Sequence, residues 1–379
     1  MVEQDGGQGV EQGGEEDREA LVEAVGALAP VVLRTLAMLE VAQRHLHPPA
    51  LESVGRELAP RADELAAASE RFLAAPWPEG LGEFRDRMLE AAAAAAGACS
   101  GLAGLGAQAE DFITAIKALR RQVRALEALY ELAPALPPIS RFFLERDFDE
   151  ASARALMALI DAAPGRGGVA HQDNARDERG GFSMYVPEWV APGTPMPLIM
   201  ALHGGSGHGR DFLWSWLREA RTRGCLLVAP TSADRTWSMT GGEDLDAPRL
   251  HAIVDALCER FTVDRQRMLL TGMSDGATYT LLTGLREGSP FTALAPFSGM
   301  LSPEILMDGR LANASGRRIR LVHGVADWMF PVDTARDAVV TLETAGAEVE
   351  YRELEDLSHT YARDENPALL DWFGVPLPG

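Results

Sequence analysis

Ser274, Asp327 and His359 are the residues whose types and order could do nucleophilic chemistry in this chain. Ser274 lies in Gly272-Met273-Ser274-Asp275-Gly276, a G-x-S-x-G pattern. The apolar run before it, 267–271, predicts a buried strand, and 277–285 predicts a helix. Strand, sharp turn and helix form the setting in which this pattern makes a nucleophile elbow, with the serine hydroxyl lifted above the sheet edge. Glycines flank the serine because side chains would collide in so tight a bend. Outside that setting the pattern is common, and a serine in a turn that starts a helix reads the same way.

A serine hydroxyl is a weak nucleophile at neutral pH, so a base must take its proton as it attacks a carbonyl. His359 can accept that proton and return it to the leaving group. A carboxylate on the other imidazole nitrogen fixes the tautomer, and Asp327, in His323-Gly324-Val325-Ala326-Asp327, is placed for it. Asp333 and Asp356 are rivals. Asp333 is read as the acid that opens a helix, and Asp356 as a loop-stabilising residue close to His359. Two N–H donors must face the oxyanion of the tetrahedral intermediate. One is expected from Asp275; the other is expected from the loop His203-Gly204-Gly205-Ser206-Gly207, through Gly205 or Ser206. His203 and His323 each end a predicted strand before a glycine and are read as loop-shaping residues.

With the order serine, acid, histidine in place, the chain resembles the serine esterases of the α/β-hydrolase superfamily. The G-M-S-D-G elbow, the L-H-G-G-S-G loop, the H-G-V-A-D turn and the terminal Ser358-His359 carry the resemblance. Within the superfamily it is similar to the polyhydroxybutyrate depolymerase, feruloyl esterase and phospholipase/carboxylesterase-like group, over about the last 200 residues. Dienelactone hydrolases carry cysteine at the nucleophile position, and haloalkane dehalogenases and epoxide hydrolases carry aspartate. Ser274 sets this chain apart from all three. The resemblance implies cleavage of carboxylic esters through an acyl-serine intermediate. A thioesterase or serine peptidase of the same fold remains open, because the same triad transfers acyl groups from sulfur or nitrogen. So does a non-catalytic scaffold assembled through the N-terminal half.

The elements that must position these residues alternate strand and helix from Phe182 onward. Strands are predicted at 182–186, 197–202, 225–229, 267–271, 292–297, 319–322 and 349–354, with a helix over 247–261. That alternation predicts an α/β fold, a mostly parallel sheet flanked by helices. Each candidate follows the carboxyl end of a strand, where such sheets gather ligands. The connection from Phe297 to Arg317 is too short for a large inserted cap. Residues 18–163 are Ala/Leu-rich and punctuated by prolines, which predicts an all-α domain. Its clearest helix spans 107–133, where Phe112, Ile116, Leu119, Val123, Leu126 and Tyr130 form a seam at alternating steps of four and three. Lys117, Arg120, Arg121 and Arg124 lie off that seam. The seam belongs to a local bundle, pairs with a second subunit, or covers the active-site mouth. The expected divisions are an acidic disordered tail at 1–17, the helical domain at 18–163, a linker at 164–180 and the catalytic domain at 181–379.

Composition bounds the partners. The 379 residues carry a formal charge of −21, so a phosphate backbone is expected to be repelled and no nucleic acid is expected as partner. The first 20 residues hold seven acids against Arg18 and lack the basic and apolar regions of a signal peptide. No apolar run is expected to approach the ~20 residues needed to span a bilayer. Cys99, Cys225 and Cys258 are odd in number and without metal-ligand spacing. A cytoplasmic enzyme with no membrane partner is expected, a homo-oligomer through the helical domain being open. Neither metal nor cofactor is expected, since triad chemistry requires none. The substrate is expected to be a small-molecule or polymeric ester. Trp237, Trp328 and Phe212 are the candidate substrate-binding residues, lining an aromatic cleft together with Trp214, Trp216, Met239 and Tyr361; packing in a core is the alternative for each.

Overall fold

The computed structural model describes residues 7–239 and 242–378. Two compact units divide the chain, Met1–Phe142 and Phe143–Gly379.

The first unit is all-α: α1 (Gly7–Arg44), α2 (Leu51–Leu73), α3 (Gly82–Leu102), α4 (Ala109–Leu119), α5 (Arg121–Leu132) and α6 (Pro137–Phe142). In α1, Leu28, Val32, Leu36 and Leu39 recur at helical spacing and are almost wholly buried. The seam expected over 107–133 also faces inward, with Phe112, Leu119, Val123 and Leu126 buried in this unit. It is split into α4 and α5 at Arg120, where the Val123 N–H bonds the Arg120 carbonyl at 3.2 Å in a tightened turn.

Two expectations change here. Residues 7–17 of the expected disordered tail are the first turns of α1, and residues 1–6 lie outside the described residues. Extending a helix that is already anchored by packing is cheaper than nucleating one, and Glu and Gln tolerate the helix well. The expectation of no membrane-length apolar run is also corrected, because the Glu15–Arg44 part of α1 is long and apolar enough to cross a membrane. Between Ala20 and Leu39 only Glu23 and Arg34 are charged.

The second unit begins with α7 (Glu150–Asp161), capped by Asp149, whose carboxylate accepts the Ala151 and Ser152 N–H groups at 3.0 Å each. An eight-stranded sheet follows in the order β1-β2-β4-β3-β5-β6-β7-β8. Its strands are β1 (Gly168–Gln172), β2 (Phe182–Val186), β3 (Met196–Leu202), β4 (Leu226–Pro230), β5 (Val263–Met273), β6 (Ala293–Phe297), β7 (Arg318–Gly324) and β8 (Glu348–Leu354). β2 runs antiparallel to its neighbours, and every pair from β4 through β8 is parallel. Between them lie α8 (Gly209–Phe212), α9 (Leu217–Arg223), α10 (Asp246–Arg260), α11 (Asp275–Gly284), α12 (Pro303–Met307), α13 (Val332–Thr344) and α14 (Asn366–Phe373). β3 and β4 are buried along their whole length, as strands covered on both faces must be. The mostly parallel sheet flanked by helices expected from the alternation is present, as the resemblance to α/β-hydrolases implied. Between β6 and β7 only the short α12 and one 3₁₀ turn intervene.

The expected boundaries at 163 and 181 do not hold. β1 falls inside the supposed linker and pairs with β2 from Gly168↔Val186 to Gln172↔Phe182. Its glycine-flanked sequence, Val169-Ala170-His171-Gln172, is a half-exposed edge strand with too little apolar character to stand out. Residues 143–161 belong to the sheet-bearing unit. The Glu145 carboxylate takes both the Nε (2.6 Å) and an Nη (3.0 Å) of buried Arg223, and the Glu145 N–H donates to Thr222 Oγ1 at 2.8 Å. Arg223 also donates to the Val375 carbonyl at 2.7 Å, so one guanidinium ties both ends of the unit to α9. Burial pushes the Glu145 carboxyl up, and only the facing guanidinium opposes that. Arg223→Ala is therefore expected to cost about 3–5 kcal/mol of stability by removing the guanidinium that offsets the burial of the Glu145 carboxylate. Denaturant unfolding of the full chain measures it.

Candidate active site

The elbow is built as the pattern requires. Ser274 stands between β5 and α11 with φ 57° and ψ −120°, a backbone state that costs a non-glycine residue of order 1–3 kcal/mol. Neighbouring strands hold it there: the Ser274 N–H donates to the Phe297 carbonyl of β6 at 2.9 Å. The two glycines are steric necessities. A Cβ on Gly272 would stand 2.4 Å from the Gly276 carbonyl oxygen, and one on Gly276 2.4 Å from that of Leu202.

Three side chains from three loops then meet. Ser274 Oγ donates to His359 Nε2 at 2.8 Å, and His359 Nδ1 donates to Asp327 Oδ2 at 2.8 Å. The other carboxylate oxygen of Asp327 accepts the backbone N–H groups of Met329 (2.9 Å) and Phe330 (2.8 Å). The turn thus grips its own acid and aims one oxygen at the histidine. The loops after β7 and β8 are joined by the Ala326 N–H on the Leu357 carbonyl at 3.0 Å. The rival Asp333 lies in the first turn of α13 and pairs with Arg336 at 2.9 Å.

Phe330 and His323 complete this turn, and of the two only His323 was singled out in the sequence. The Phe330 ring stands edge-on to the His359 ring at 5.0 Å between centroids. His323, fully buried, donates Nε2–H to the Phe330 carbonyl at 2.8 Å, closing the turn from below. Burial depresses its pKa below 6.5, so it stays neutral beside the acid.

The oxyanion side needs one correction. The Asp275 N–H opens α11, where the first N–H groups have no helical acceptor. Gly205 faces it, and a Cβ there would meet the Asp275 carboxylate at 2.5 Å. Ser206 does not serve: its N–H is committed to the Arg235 carbonyl at 3.0 Å, and its hydroxyl accepts from Arg235 Nε at 2.8 Å. The loop turns at Ser206 through φ 55° and points that N–H away from the nucleophile's neighbour. Between the two expected loop donors, Gly205 is the one left.

Trp237 is likewise not a substrate contact. It is 2% exposed, stacks on Tyr279 at 5.4 Å, and donates its indole N–H to the His203 carbonyl at 2.7 Å. The segment after β4 folds beneath the oxyanion loop, so an aromatic there becomes core. Asp246 anchors that segment by accepting the Ala233 N–H (2.7 Å) and the Ser238 N–H (2.8 Å). His203 bonds at both ring nitrogens, to the Gly204 carbonyl and from the Ser232 N–H, and is a loop-shaping residue as its position suggested.

Phe212 is half-buried, with its ring 5.2 Å from Tyr361. Trp328 is 39% exposed immediately after the acid. Met300 and Met329 are exposed to a similar degree at the carboxyl ends of β6 and β7; their place after those strands was the available signal. Among the described residues, no group of three or more His, Cys, Asp or Glu could hold a metal. Cys99 and Cys225 are buried free thiols, pushed up to about 11 and about 12 by burial.

Trp237→Phe keeps an aromatic ring, though a smaller one, and drops the N–H on the His203 carbonyl; kcat is expected to fall about tenfold with little change in KM. Steady-state kinetics checks it. The depressed pKa of His323 predicts a pH effect on stability. Above about 6.5 the histidine is neutral in both states and contributes nothing; as pH falls below that value the unfolded chain binds the proton first. Stability then declines by at most ~1.4 kcal/mol per pH unit for this group. His323→Gln should flatten that acid-side slope in denaturant titrations.

Residues 242–371 match the phospholipase/carboxylesterase family. The chain is 26% identical over 180 residues to feruloyl esterase C of Emericella nidulans, an alignment covering 43% of this chain and 59% of that protein. It is 27% identical over 133 residues to a bifunctional acetylxylan esterase/xylanase of Neocallimastix patriciarum, covering 34% and 19% respectively. The chain thus spans less than two thirds of these curated relatives. Among solved structures, esterase PE8 aligns at 25% identity with a TM-score of 0.42, over 52% of this chain and 98% of that one. Sheet order, elbow and family match agree on the fold: the unit from Phe143 onward has the α/β-hydrolase architecture.

Proposed function

We propose that the C-terminal unit hydrolyses carboxylic esters through an acyl-serine intermediate. The observation that carries this is the hydrogen-bonded chain from Ser274 through His359 to Asp327, with both links at 2.8 Å. His359 Nε2 takes the Ser274 proton as Oγ attacks the ester carbonyl. The N–H groups of Asp275 and Gly205 receive the oxyanion, each such donor contributing roughly 3–4 kcal/mol. Collapse expels the alcohol, protonated by His359. Water then repeats the sequence, frees the acid and restores the serine. Asp327, held by two backbone N–H groups, stabilises the imidazolium at both steps.

The exposed apolar side chains of Trp328, Met329 and Met300 beside this chain favour an apolar or aromatic acyl group. The names of the relatives, a feruloyl esterase and an acetylxylan esterase, support an ester substrate. Ser274→Ala is expected to abolish labelling by a fluorophosphonate probe and to lower ester turnover by at least ~10³-fold. Labelling that survives in the variant would overturn the assignment. An unaltered unfolding curve separates loss of chemistry from loss of fold.

A further inference from the structure

Outside the hydrolase unit, the helical unit carries a cationic groove of about 690 Å³ that the ester chemistry does not use. One wall is the stripe Lys117, Arg120, Arg121 and Arg124, spaced so that all four lie on one face across the α4–α5 break. The opposing wall is a stripe of α3 in the same spacing, Glu90, Ala93, Ala94 and Gly97, three of them small. From this pairing we infer that the groove binds a phosphate-bearing anion.

Solvated helix faces ordinarily interleave acids with bases, and this chain has 56 acids to 35 bases. Yet from Lys117 to Arg124 there are four cations and no carboxylate. Like charges within two turns repel, and a groove focuses their field rather than dispersing it. The one carboxylate in the groove, Glu90, is engaged by Arg87 at 3.0 Å, and Arg87 reaches on to Glu131 at 2.6 Å. Among the described residues, no carboxylate pairs with Lys117 or Arg124. Arg121 is pre-set: its Nη1 donates to the Gly97 carbonyl at 2.8 Å, and a Cβ on Gly101 would press on it at 3.3 Å. The small α3 stripe makes room for that guanidinium. The volume suits a small organic ligand, and guanidinium forks match phosphate oxygens in pairs. Lys117, the only lysine of the chain, supplies a point charge beside them.

The test uses the full chain. Pyridoxal 5′-phosphate condenses through its aldehyde with the Lys117 amine, releasing water, and borohydride fixes the adduct for peptide mapping. Inorganic pyrophosphate is expected to protect Lys117 saturably at or below ~1 mM, where chloride of equal ionic strength does not. Arg124→Gln, an exposed change that leaves the fold alone, should weaken that protection about tenfold. Co-sedimentation with phosphatidic acid vesicles, lost in the same variant, assigns the phosphate to a lipid headgroup; pyrophosphate protection without vesicle binding assigns it to a soluble ligand. Protection matched by chloride, or unchanged in Arg124→Gln, overturns the inference. An oligoglutamate peptide that protects as well as pyrophosphate overturns the phosphate assignment. Ester turnover followed in parallel reads the other unit, so failure of one reading leaves the other standing.

Discussion

The backbone of Ser274 is the constraint to which the rest of the sheet-bearing unit answers. A left-handed φ at a non-glycine residue survives only where surrounding structure leaves no alternative. Here β6 takes its N–H, and the backbones of β3 and α11 close against the two flanking glycines. Those contacts exist only once the parallel sheet is assembled, so the reactive geometry and the completed core form together. The same sheet brings the loops after β7 and β8 to the same edge, which is why residues 53 and 85 positions further along the chain reach the serine.

Support for the site lies one layer deeper than the reacting groups. Asp327 is oriented by its own turn, and that turn is closed by neutral His323. The oxyanion loop rests on the segment after β4 through Trp237 and Arg235, and that segment is fixed in turn by Asp246 at the head of α10. Loops carry the chemistry, while rigid elements limit where the loops can stand.

Much of this was legible in the residues. Periodicity located seven strands because their apolar runs are long and bounded, and the chain order of serine, acid and histidine picked out three side chains that stand in hydrogen-bonding contact. What the sequence hid is specific. β1 is a short edge strand of mixed polarity, so its only signature is the partner it pairs with. Residues 143–161 are tied into this unit by Trp189 packing on their apolar cluster and by Arg223, 78 positions away from Glu145, pairings no local pattern encodes. Ser206 and Gly205 are equivalent as loop residues until Arg235 is seen to claim the N–H of one of them. Trp237 read as a cleft aromatic because loop position is visible in sequence and the direction of a side chain is not.

With 34 arginines and one lysine, the chain meets amine-directed chemistry at essentially a single side chain. Acetylation or ubiquitin conjugation on lysine would fall at residue 117, on the helical unit, far along the chain from the nucleophile. A lysine-specific protease would cut only between Lys117 and Ala118, leaving the sequence from Phe143 to the end in one piece.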